Sequence, residues 1–390
     1  MRIVHLSDTH LGYTGQGFQR LVEDPWRPGL RVRQQEADVM LGLLRAVDRI
    51  IETVRPAVVL HTGDLFDRAL PTPHALDFAM AQFRRLADAG IPILVVEGDH
   101  SSPRNQSQGQ VLRVLLHLPG VTVVCGDAAI VRIGELVVHA LPHRALAREE
   151  RPNRDALDPR SPNILVTHGV ADGWGYFRTH RLAASVPIRE CADWYEYVGI
   201  GHSHRFAQVT GTDRAFYAGA TAMAGPLDFR PGYAFGFNVV ELTGGPPVVR
   251  RECLETRPMH AYGLDDASGM SPGEILGFLQ RQADASPPRD AYCQVRITAL
   301  DPLVRRTLSI REIEAIFQEA AILSLTMDVN EPRWASVRDR LKAGDPPARF
   351  VELSALSDGE PPFKERVQAL GQEILARAAE SVGAEDLDGI

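Results

Sequence analysis

The sequence predicts an α/β protein: a four-layer α/β/β/α sandwich with a small α/β cap domain and a C-terminal helical tail. Two observations predict the sandwich. The first part of the chain alternates short apolar, β-rich segments with segments whose apolar residues recur at helical spacing. From about residue 120 onward, strand patterns follow one another with few helices between them. A glycine- and proline-rich turn cluster at 244–247 then precedes a change of composition, which predicts the additional parts.

The first sheet is predicted from strands at 2–6, 57–61 and 91–97. A helix is predicted over 36–54, because its apolar residues recur along one helix face, and a second helix over 73–89. This β-α-β-α-β order implies parallel strands joined by right-handed crossovers.

A second, more antiparallel sheet is predicted to pack on the first. Its strands are expected at 121–124, 136–141, 163–167, 197–200, 215–218 and 235–241. The segment 14–33 is predicted to be a long loop rich in Gly, Pro and Arg. Loops of that length are uncommon unless they are functional or disordered.

Three domains are predicted: a catalytic domain over 1–248, a small α/β cap over 249–355 and a helical tail over 356–390. The cap is indicated by helices at 272–283 and 310–320 and by a strand at 292–298. The tail has an apolar stripe within 362–379, which is compatible with docking onto a partner or onto the protein's own domain.

The composition is that of an ordinary globular protein, with 390 residues, 44% hydrophobic and 24% charged. No apolar run approaches the roughly 18 residues of a membrane span. The N-terminus lacks the pattern of a signal peptide, so a cytoplasmic location is expected. The four cysteines form no CxxC pair, which argues against a zinc knuckle. A net charge of −8 argues against coating nucleic acid by charge alone, but it does not exclude a nuclease.

Five short polar motifs stand at or just beyond predicted strands. They are Asp8-Thr9-His10, Gly63-Asp64-Leu65-Phe66-Asp67, Gly98-Asp99-His100, His168-Gly169 and Gly201-His202-Ser203-His204. Each alone is common by chance, but together they supply carboxylate and imidazole ligands for two divalent ions. Residues two apart in an extended strand face the same side, which predicts that Asp8 and His10 share one site.

This ligand set predicts phosphoester hydrolysis. Two ions about 3.5–4 Å apart can clamp a phosphodiester and turn a water into a hydroxide nucleophile. A separate histidine can protonate the leaving oxygen. His61, which lies before the second motif, is instead predicted to pack or hydrogen-bond beneath its strand.

The order of the motifs resembles that of calcineurin-like metallophosphoesterases. Within them it is most similar to the SbcD-type nuclease subunit of DNA double-strand-break repair. The segments that carry the resemblance are HLSDTHLG at 5–12, HTGDLFD at 61–67, VEGDHSSPR at 96–104, GHSHRF at 201–206 and YAGATAMAG at 217–225. It covers about residues 1–245, and the remaining chain is similar only in architecture.

The resemblance implies a metallophosphoesterase sandwich and a role for each site residue. The first metal would be held by Asp8, His10, Asp64 and His204. The second would be held by Asp64, Asp99, His168 and His202. His100 would be the general acid, Asp67 would support catalysis, and Arg104 would contact substrate phosphate, although a solvated loop arginine is an equal alternative.

The resemblance also implies cofactors and partners. Two divalent ions, Mn²⁺ by preference, would serve 3′-to-5′ exonuclease and single-strand endonuclease activities on DNA. An SbcC-type SMC-like ATPase would be the partner, and a homodimer is expected. No membrane association is expected.

The chain departs from the family pattern at two positions. The family has Asn where this chain has Asp99, and an acidic residue where it has Ser101. Asp99 can still bind metal through oxygen, but it removes one positive charge from the site. We therefore expect Asp99 to strengthen metal binding and to dampen turnover.

Two other functions compete with the nuclease hypothesis. The first is hydrolysis of nucleotides or other small phosphoesters, because this scaffold hosts many substrates. The second is a low-activity scaffold that tethers DNA ends. The long loop and the cap favour a large substrate, and the intact His100 argues for an enzyme.

Overall fold

The computed structural model describes residues 1–103, 109–172 and 184–329, together with residue 369. Arg104 and, apart from residue 369, the predicted tail at 356–390 lie outside the described residues. The chain divides into two compact units. The first comprises Met1–Tyr262, Ala283–Val295 and Phe317–Leu325, and the second comprises Gly263–Gln282, Arg296–Ile316 and Thr326–Ile390. The predicted domain boundaries at 248 and 355 stay predictions.

The strands of the described residues are short, and most strands of the two large sheets are buried. In chain order they are β1 Arg2–Leu6, β2 Phe18–Gln19, β3 Leu21–Glu23, β4 Arg31–Arg33, β5 Val59–His61, β6 Ile93–Val96, β7 Val121–Val124, β8 Ala129–Ile133, β9 Leu136–Leu141, β10 Asn163–His168, β11 Val170–Ala171, β12 Ser185–Val186, β13 Tyr197–Gly201, β14 Ala207–Gln208, β15 Ala215–Tyr217, β16 Gly236–Glu241, β17 Val248–Cys253, β18 Met259–Leu264, β19 Tyr292–Leu300 and β20 Ile322–Val329.

The α-helices of the described residues are α1 Gln34–Arg49, α2 Pro73–Asp88, α3 His143–Ala147, α4 Ile188–Cys191, α5 Pro272–Ala285, α6 Pro302–Thr307 and α7 Ile310–Ile316. Helix α1 continues into a π-helical segment, Ile50–Val54, so the prediction over 36–54 is confirmed. Helix α2 begins where Thr72 accepts a hydrogen bond from the Ala75 N–H, with Pro73 in the first turn.

Two six-stranded sheets form the body of the first unit. Their strand orders are β17-β16-β1-β5-β6-β7 and β14-β15-β13-β10-β9-β8. In the first sheet, β1, β5 and β6 are parallel neighbours, as predicted. Strands β7 and β16 were predicted in the second sheet, and that placement is wrong: β7 runs parallel to β6, and β16 runs antiparallel to β1. A buried apolar pattern does not report which sheet a strand joins. Strand β17 pairs with β16 across the glycine- and proline-rich turn, so the first sheet extends to Cys253.

The expectation that the second sheet is more antiparallel is wrong. Strands β9, β10, β13 and β15 are parallel neighbours, and only the edge strands β8 and β14 run antiparallel. Each sheet therefore has three parallel and two antiparallel pairings. The sequence did not reveal this because strands buried on both faces have the same apolar pattern in either direction.

Three apolar clusters define the predicted four layers. One lies between the first sheet and helices α1 and α2, and includes Val4, Leu43 and Phe78. A second lies between the two sheets and includes Ile3 and Ile164. A third covers the outer face of the second sheet, where α3 and α4 pack. The α/β/β/α sandwich is thus confirmed.

The segment predicted as a long loop at 14–33 contains a hairpin. Strand β3 pairs with β4, and Val22 lies opposite Val32. The turn is held by Asp24, whose Oδ1 accepts from the N–H groups of Trp26 (2.7 Å) and Arg27 (2.6 Å). Strands of three residues are too short to produce a clear alternation, so the glycines and prolines dominated the prediction.

In the second unit, helix α5 begins with a capping box. The Ser271 N–H donates to Glu274 Oε2 (2.8 Å), and the Glu274 N–H donates to Ser271 Oγ (3.4 Å). The predicted helix at 310–320 ends earlier, at Ile316. None of the helices in the described part of the chain has the length and apolarity needed to cross a bilayer.

Candidate metal centre

The five polar motifs all follow the carboxyl ends of strands in the two facing sheets. Asp8 and His10 follow β1, Asp64 follows β5, and Asp99 follows β6. In the second sheet, His168 ends β10, and His202 with His204 follows β13. Because parallel strands end at the same edge, the topology brings the motifs of each sheet together.

Four of these residues have a left-handed backbone that side chains rarely adopt. The φ angles are 50° at Asp8, 47° at His10, 51° at Asp64 and 93° at His202. The extended geometry expected for Asp8 and His10 is therefore wrong, because tight turns rather than strand alternation bring them together. Such conformations cost about 1–3 kcal/mol each and cluster at functional sites.

Glycines before two of the motif carboxylates allow close packing. A Cβ on Gly63 would overlap Nδ1 of His168, and a Cβ on Gly98 would overlap Oδ1 of Asp64. Gly63 also has a φ of +103°, in the left-handed region. No other residue type fits either position without moving a side chain of the site.

Asp8, His10 and His204 form the first group of candidate ligands, with ligand atoms within 4.8 Å of one another. The Nε2 atoms of His10 and His204 lie 2.9 Å apart, and His204 Nε2 lies 4.0 Å from Asp8 Oδ1. The Asp8 carboxylate is oriented by the backbone N–H of His202, at 3.1 Å and 3.2 Å from its two oxygens.

Asp99, His168 and His202 form the second group. Oδ1 of Asp99 lies 2.8 Å from His168 Nε2 and 3.1 Å from His202 Nδ1. Asp64 lies between the two groups and clusters with Asp8 and His168. Its Oδ2 atom lies 3.3 Å from Nε2 of His168, in the second group, and 3.8 Å from Nε2 of His10, in the first. The structure thus brings together the seven predicted metal ligands in two groups linked by one carboxylate.

The hydrogen bonds of His168 fit a bound cation. Its Nδ1 lies 2.8 Å from the carbonyl oxygen of Thr62, which can only accept, so Nδ1 carries a proton. In the neutral ring, Nε2 then presents a lone pair to the oxygens of Asp64 and Asp99. Lone pairs that face one another need a positive charge between them, which a divalent ion supplies.

The pKa shifts show the same preference for positive charge. Burial alone would lower the pKa of His168, but Asp64 and Asp99 raise it well above its usual value. Burial alone would raise the pKa of Asp99, but hydrogen bonds from His168 and His202 hold it far below its usual value. The pKa of Asp64 falls to about 2, because His168 and His10 outweigh its burial.

His100 lies at the rim, with 42% of its side chain exposed. Its Nδ1 lies 2.7 Å from the backbone oxygen of Asp67, and Asp67 Oδ1 lies 3.9 Å from the same nitrogen. Although burial lowers the pKa of His100, Asp64 and the Asp67 backbone oxygen raise it above its usual value. Asp67 Oδ1 also lies 3.7 Å from His10 Nδ1.

Two carboxylates that the sequence reasoning missed support the site. Asp228 lies 2.8 Å from His204 Nδ1 through both oxygens, and it raises the pKa of His204 to about 9 against the effect of burial. Glu97 is fully buried and accepts from Ser102 Oγ at 2.7 Å, which anchors the loop of Asp99 and His100. No spacing signal could have found Asp228. Glu97 adjoins the third motif, and an acidic residue at the end of an apolar strand is its only signal.

Comparison with known proteins agrees with this geometry. The family model of the calcineurin-like phosphoesterases matches residues 1–206. The chain is therefore a hydrolase of the phosphoesterase class.

More specific relatives are archaeal proteins named DNA double-strand break repair protein Mre11. The Haloferax volcanii protein is 30% identical over 426 residues, covering 94% of this chain and 88% of that protein. The Sulfurisphaera tokodaii protein is 26% identical over 276 residues, covering 70% of this chain and 61% of that protein, which is less than two thirds of its length. Within the calcineurin-like phosphoesterases, this chain belongs to the SbcD/Mre11 family.

Proposed function

We propose that this chain is a manganese-dependent DNA nuclease, with 3′-to-5′ exonuclease and single-strand endonuclease activities. It would be the nuclease subunit of a DNA break repair complex with an SbcC-type SMC-like ATPase, acting in the cytoplasm as a homodimer. The observation that carries the proposal is the 94% coverage of this chain by its match to the Haloferax volcanii break repair protein.

The ligand geometry supports a two-metal site. Asp8, His10, Asp64 and His204 would hold the first ion, and Asp64, Asp99, His168 and His202 the second. When bound, the ions would clamp the scissile phosphodiester and supply a hydroxide nucleophile. The carboxylate ligands suit Mn²⁺, and the choice of Mn²⁺ over other divalent ions rests on the family resemblance. The position of Asp64 between the groups supports its role as the shared ligand.

The exposure of His100 supports its role as the general acid. Its side chain is 42% exposed, whereas Asp8 and His168, two of the proposed metal ligands, are fully buried. The Asp67 backbone oxygen engages Nδ1, which leaves Nε2 to deliver a proton to the leaving oxygen. The Asp67 carboxylate favours the protonated ring. Arg104 stays a predicted phosphate contact.

The first experiment measures cleavage of end-labelled single- and double-stranded DNA with and without Mn²⁺. We expect cleavage that requires Mn²⁺. The variant His100→Ala should reduce the rate by about 10²–10⁴-fold, the usual contribution of a general acid. His117→Ala is the matched control, because His117 lies on an exposed part of the chain away from the five motifs.

The outcomes separate the nuclease from its alternatives. No cleavage of any DNA while the protein binds Mn²⁺ would overturn the nuclease proposal and favour a small phosphoester substrate or a tethering role. Cleavage that persists in His100→Ala would remove His100 from the mechanism but leave the nuclease intact. Stimulation by an SMC-like ATPase with ATP then tests the proposed partner.

A further inference from the structure

The rings of His168 and His204 are backed by different acceptors. Nδ1 of His168 donates to the neutral carbonyl oxygen of Thr62 at 2.8 Å. Nδ1 of His204 faces a carboxylate, with both oxygens of Asp228 at 2.8 Å. The Asp228 side chain is only 7% exposed. Its charge is therefore directed at His204 with little screening by solvent.

The two candidate metal sites are otherwise matched in ligand chemistry. Each has two carboxylates and two imidazoles, and Asp64 is common to both. The charges of the direct ligands therefore do not distinguish the sites. One difference between them is the acceptor behind His168 and behind His204. A carboxylate behind a metal-binding imidazole fixes its tautomer and raises its basicity, and losing such a partner typically costs about 10–100-fold in metal affinity.

Asp228 is itself rigidly held. It ends the short turn Pro226–Asp228, and its Oδ2 accepts from the backbone N–H of Ala224 at 2.8 Å. The carboxylate thus serves two N–H donors, one from the imidazole and one from the backbone. An asparagine would offer only one acceptor oxygen, so one donor would lose its partner, and an amide N–H facing His204 would favour the wrong ring tautomer.

We propose that Asp228 is a positioning residue that makes the site of Asp8, His10, Asp64 and His204 the tighter of the two Mn²⁺ sites. This inference rests on the two-metal assignment in the proposed function. As a consequence, the two ions load in order, with the His204 site filled first and the site of Asp99, His168 and His202 filled at higher Mn²⁺ concentration.

The test is a Mn²⁺ titration of the metal-free full-length chain, followed by electron paramagnetic resonance of the unbound ion and by calorimetry. The wild type should bind two ions with distinguishable affinities. Asp228→Asn should weaken the tighter class by about 10–100-fold and leave the other class unchanged. The magnetic coupling between paired ions should then appear only at higher Mn²⁺ concentration.

Two further variants test whether Asp228 acts on metal affinity through His204. In a His204→Ala background, Asp228→Asn should cause no additional loss, because both changes act through one imidazole. Leu227→Ala is the matched control from the same turn, since Leu227 is 80% exposed, and it should bind both ions normally. If Asp228→Asn does not fold, Asp228→Ser, which keeps one acceptor in a smaller side chain, carries the same expectation.

The outcomes are distinguishable. A wild-type chain that binds fewer than two ions would overturn the two-metal assignment itself. Two ions in the wild type with unchanged affinities in Asp228→Asn would overturn the role of Asp228 alone. Equal weakening of both classes would also overturn it, because that result indicates general damage to the site.

Discussion

Buried histidines occupy two different regions of this sandwich. His5 lies within β1 and His61 ends β5, both in the first sheet, whereas His168 ends β10 and His204 follows β13 in the second sheet. His5, His61 and His168 are all completely buried. Burial lowers the pKa of His5 and of His61 to about 3, yet the pKa values of His168 and His204 are raised.

The difference comes from the groups that face each ring. His5 contacts neutral hydroxyls, with Tyr197 Oη at 2.7 Å and Thr62 Oγ1 at 2.8 Å. His61 contacts Thr9 Oγ1 at 3.1 Å, which fits its predicted structural role. His168 and His204 face the carboxylates of Asp99 and Asp228 instead. Burial alone thus does not identify a functional histidine, whereas a buried histidine beside carboxylates is a candidate for binding a cation.

The largest effect is expected at the strand ends, from Asp64→Ala. Because Asp64 is the carboxylate shared by both groups, its loss should weaken both proposed Mn²⁺ sites by more than the roughly 10–100-fold cost of losing an outer partner, and should abolish cleavage. Calorimetric titration with Mn²⁺ measures this directly. Asp77→Ala, at a half-exposed carboxylate on α2, is the control. One ion bound at wild-type affinity would contradict the shared role.

A second effect is expected at His5, in the interior of β1, on stability rather than activity. The folded pKa of His5 is about 3, below its ordinary value of 6.5. Between these values the unfolded chain binds a proton that the folded chain does not, so stability is kept above pH 6.5 and lost as the pH falls. The loss is about 1.4 kcal/mol per pH unit. His5→Gln should therefore flatten the acid side of the stability profile.

Urea unfolding between pH 4.5 and 7.5 measures this slope. The difference between wild type and His5→Gln isolates one histidine, because the other titrating groups are present in both chains. The groups around His5 are Tyr197, Thr62, Arg251 and His61. His117→Gln, at an exposed position, should leave the slope unchanged. Parallel profiles for wild type and His5→Gln would show that His5 is not the acid-sensitive group.

The smallest effect is expected from Asp99→Asn, within the second metal group. Removing one negative charge should leave the site more positive, so turnover should rise several-fold while Mn²⁺ binding weakens. Rates at saturating Mn²⁺ separate the two effects. An unchanged or lower rate would refute the idea that Asp99 dampens turnover.

The sequence predicted the helices and strands with clear apolar patterns. It also predicted which residues come together in the candidate metal site. The boundaries of helix α2 were predicted to within one residue. Its apolar face and Pro73 are both typical of a helix that begins here, and Thr72 caps that helix in the structure. The motifs were predicted to form one site because together they supply the carboxylate and imidazole ligands of two divalent ions. Asp228 was not predicted, because an aspartate in a Pro-Leu-Asp turn gains meaning only when the fold brings it to His204, 24 residues away.

The tight turns and the direction of the strands in the second sheet could not be predicted from the sequence either. The hairpin of β3 and β4 depends on Asp24 accepting two backbone N–H groups, which no periodic pattern reports. The left-handed backbone at Asp8 and Asp64 is imposed by the surrounding fold, because neither residue type requires it.

The left-handed backbone of Asp8, His10, Asp64 and His202 implies a trade-off between the stability and the activity of this chain during evolution. Glycine at any of these positions would relax the backbone and remove a candidate metal ligand in one substitution. Lineages selected only for heat resistance should therefore substitute these codons early, whereas lineages that need the hydrolase should hold them fixed. Substitution at these four codons would mark the point at which a descendant stopped being an enzyme.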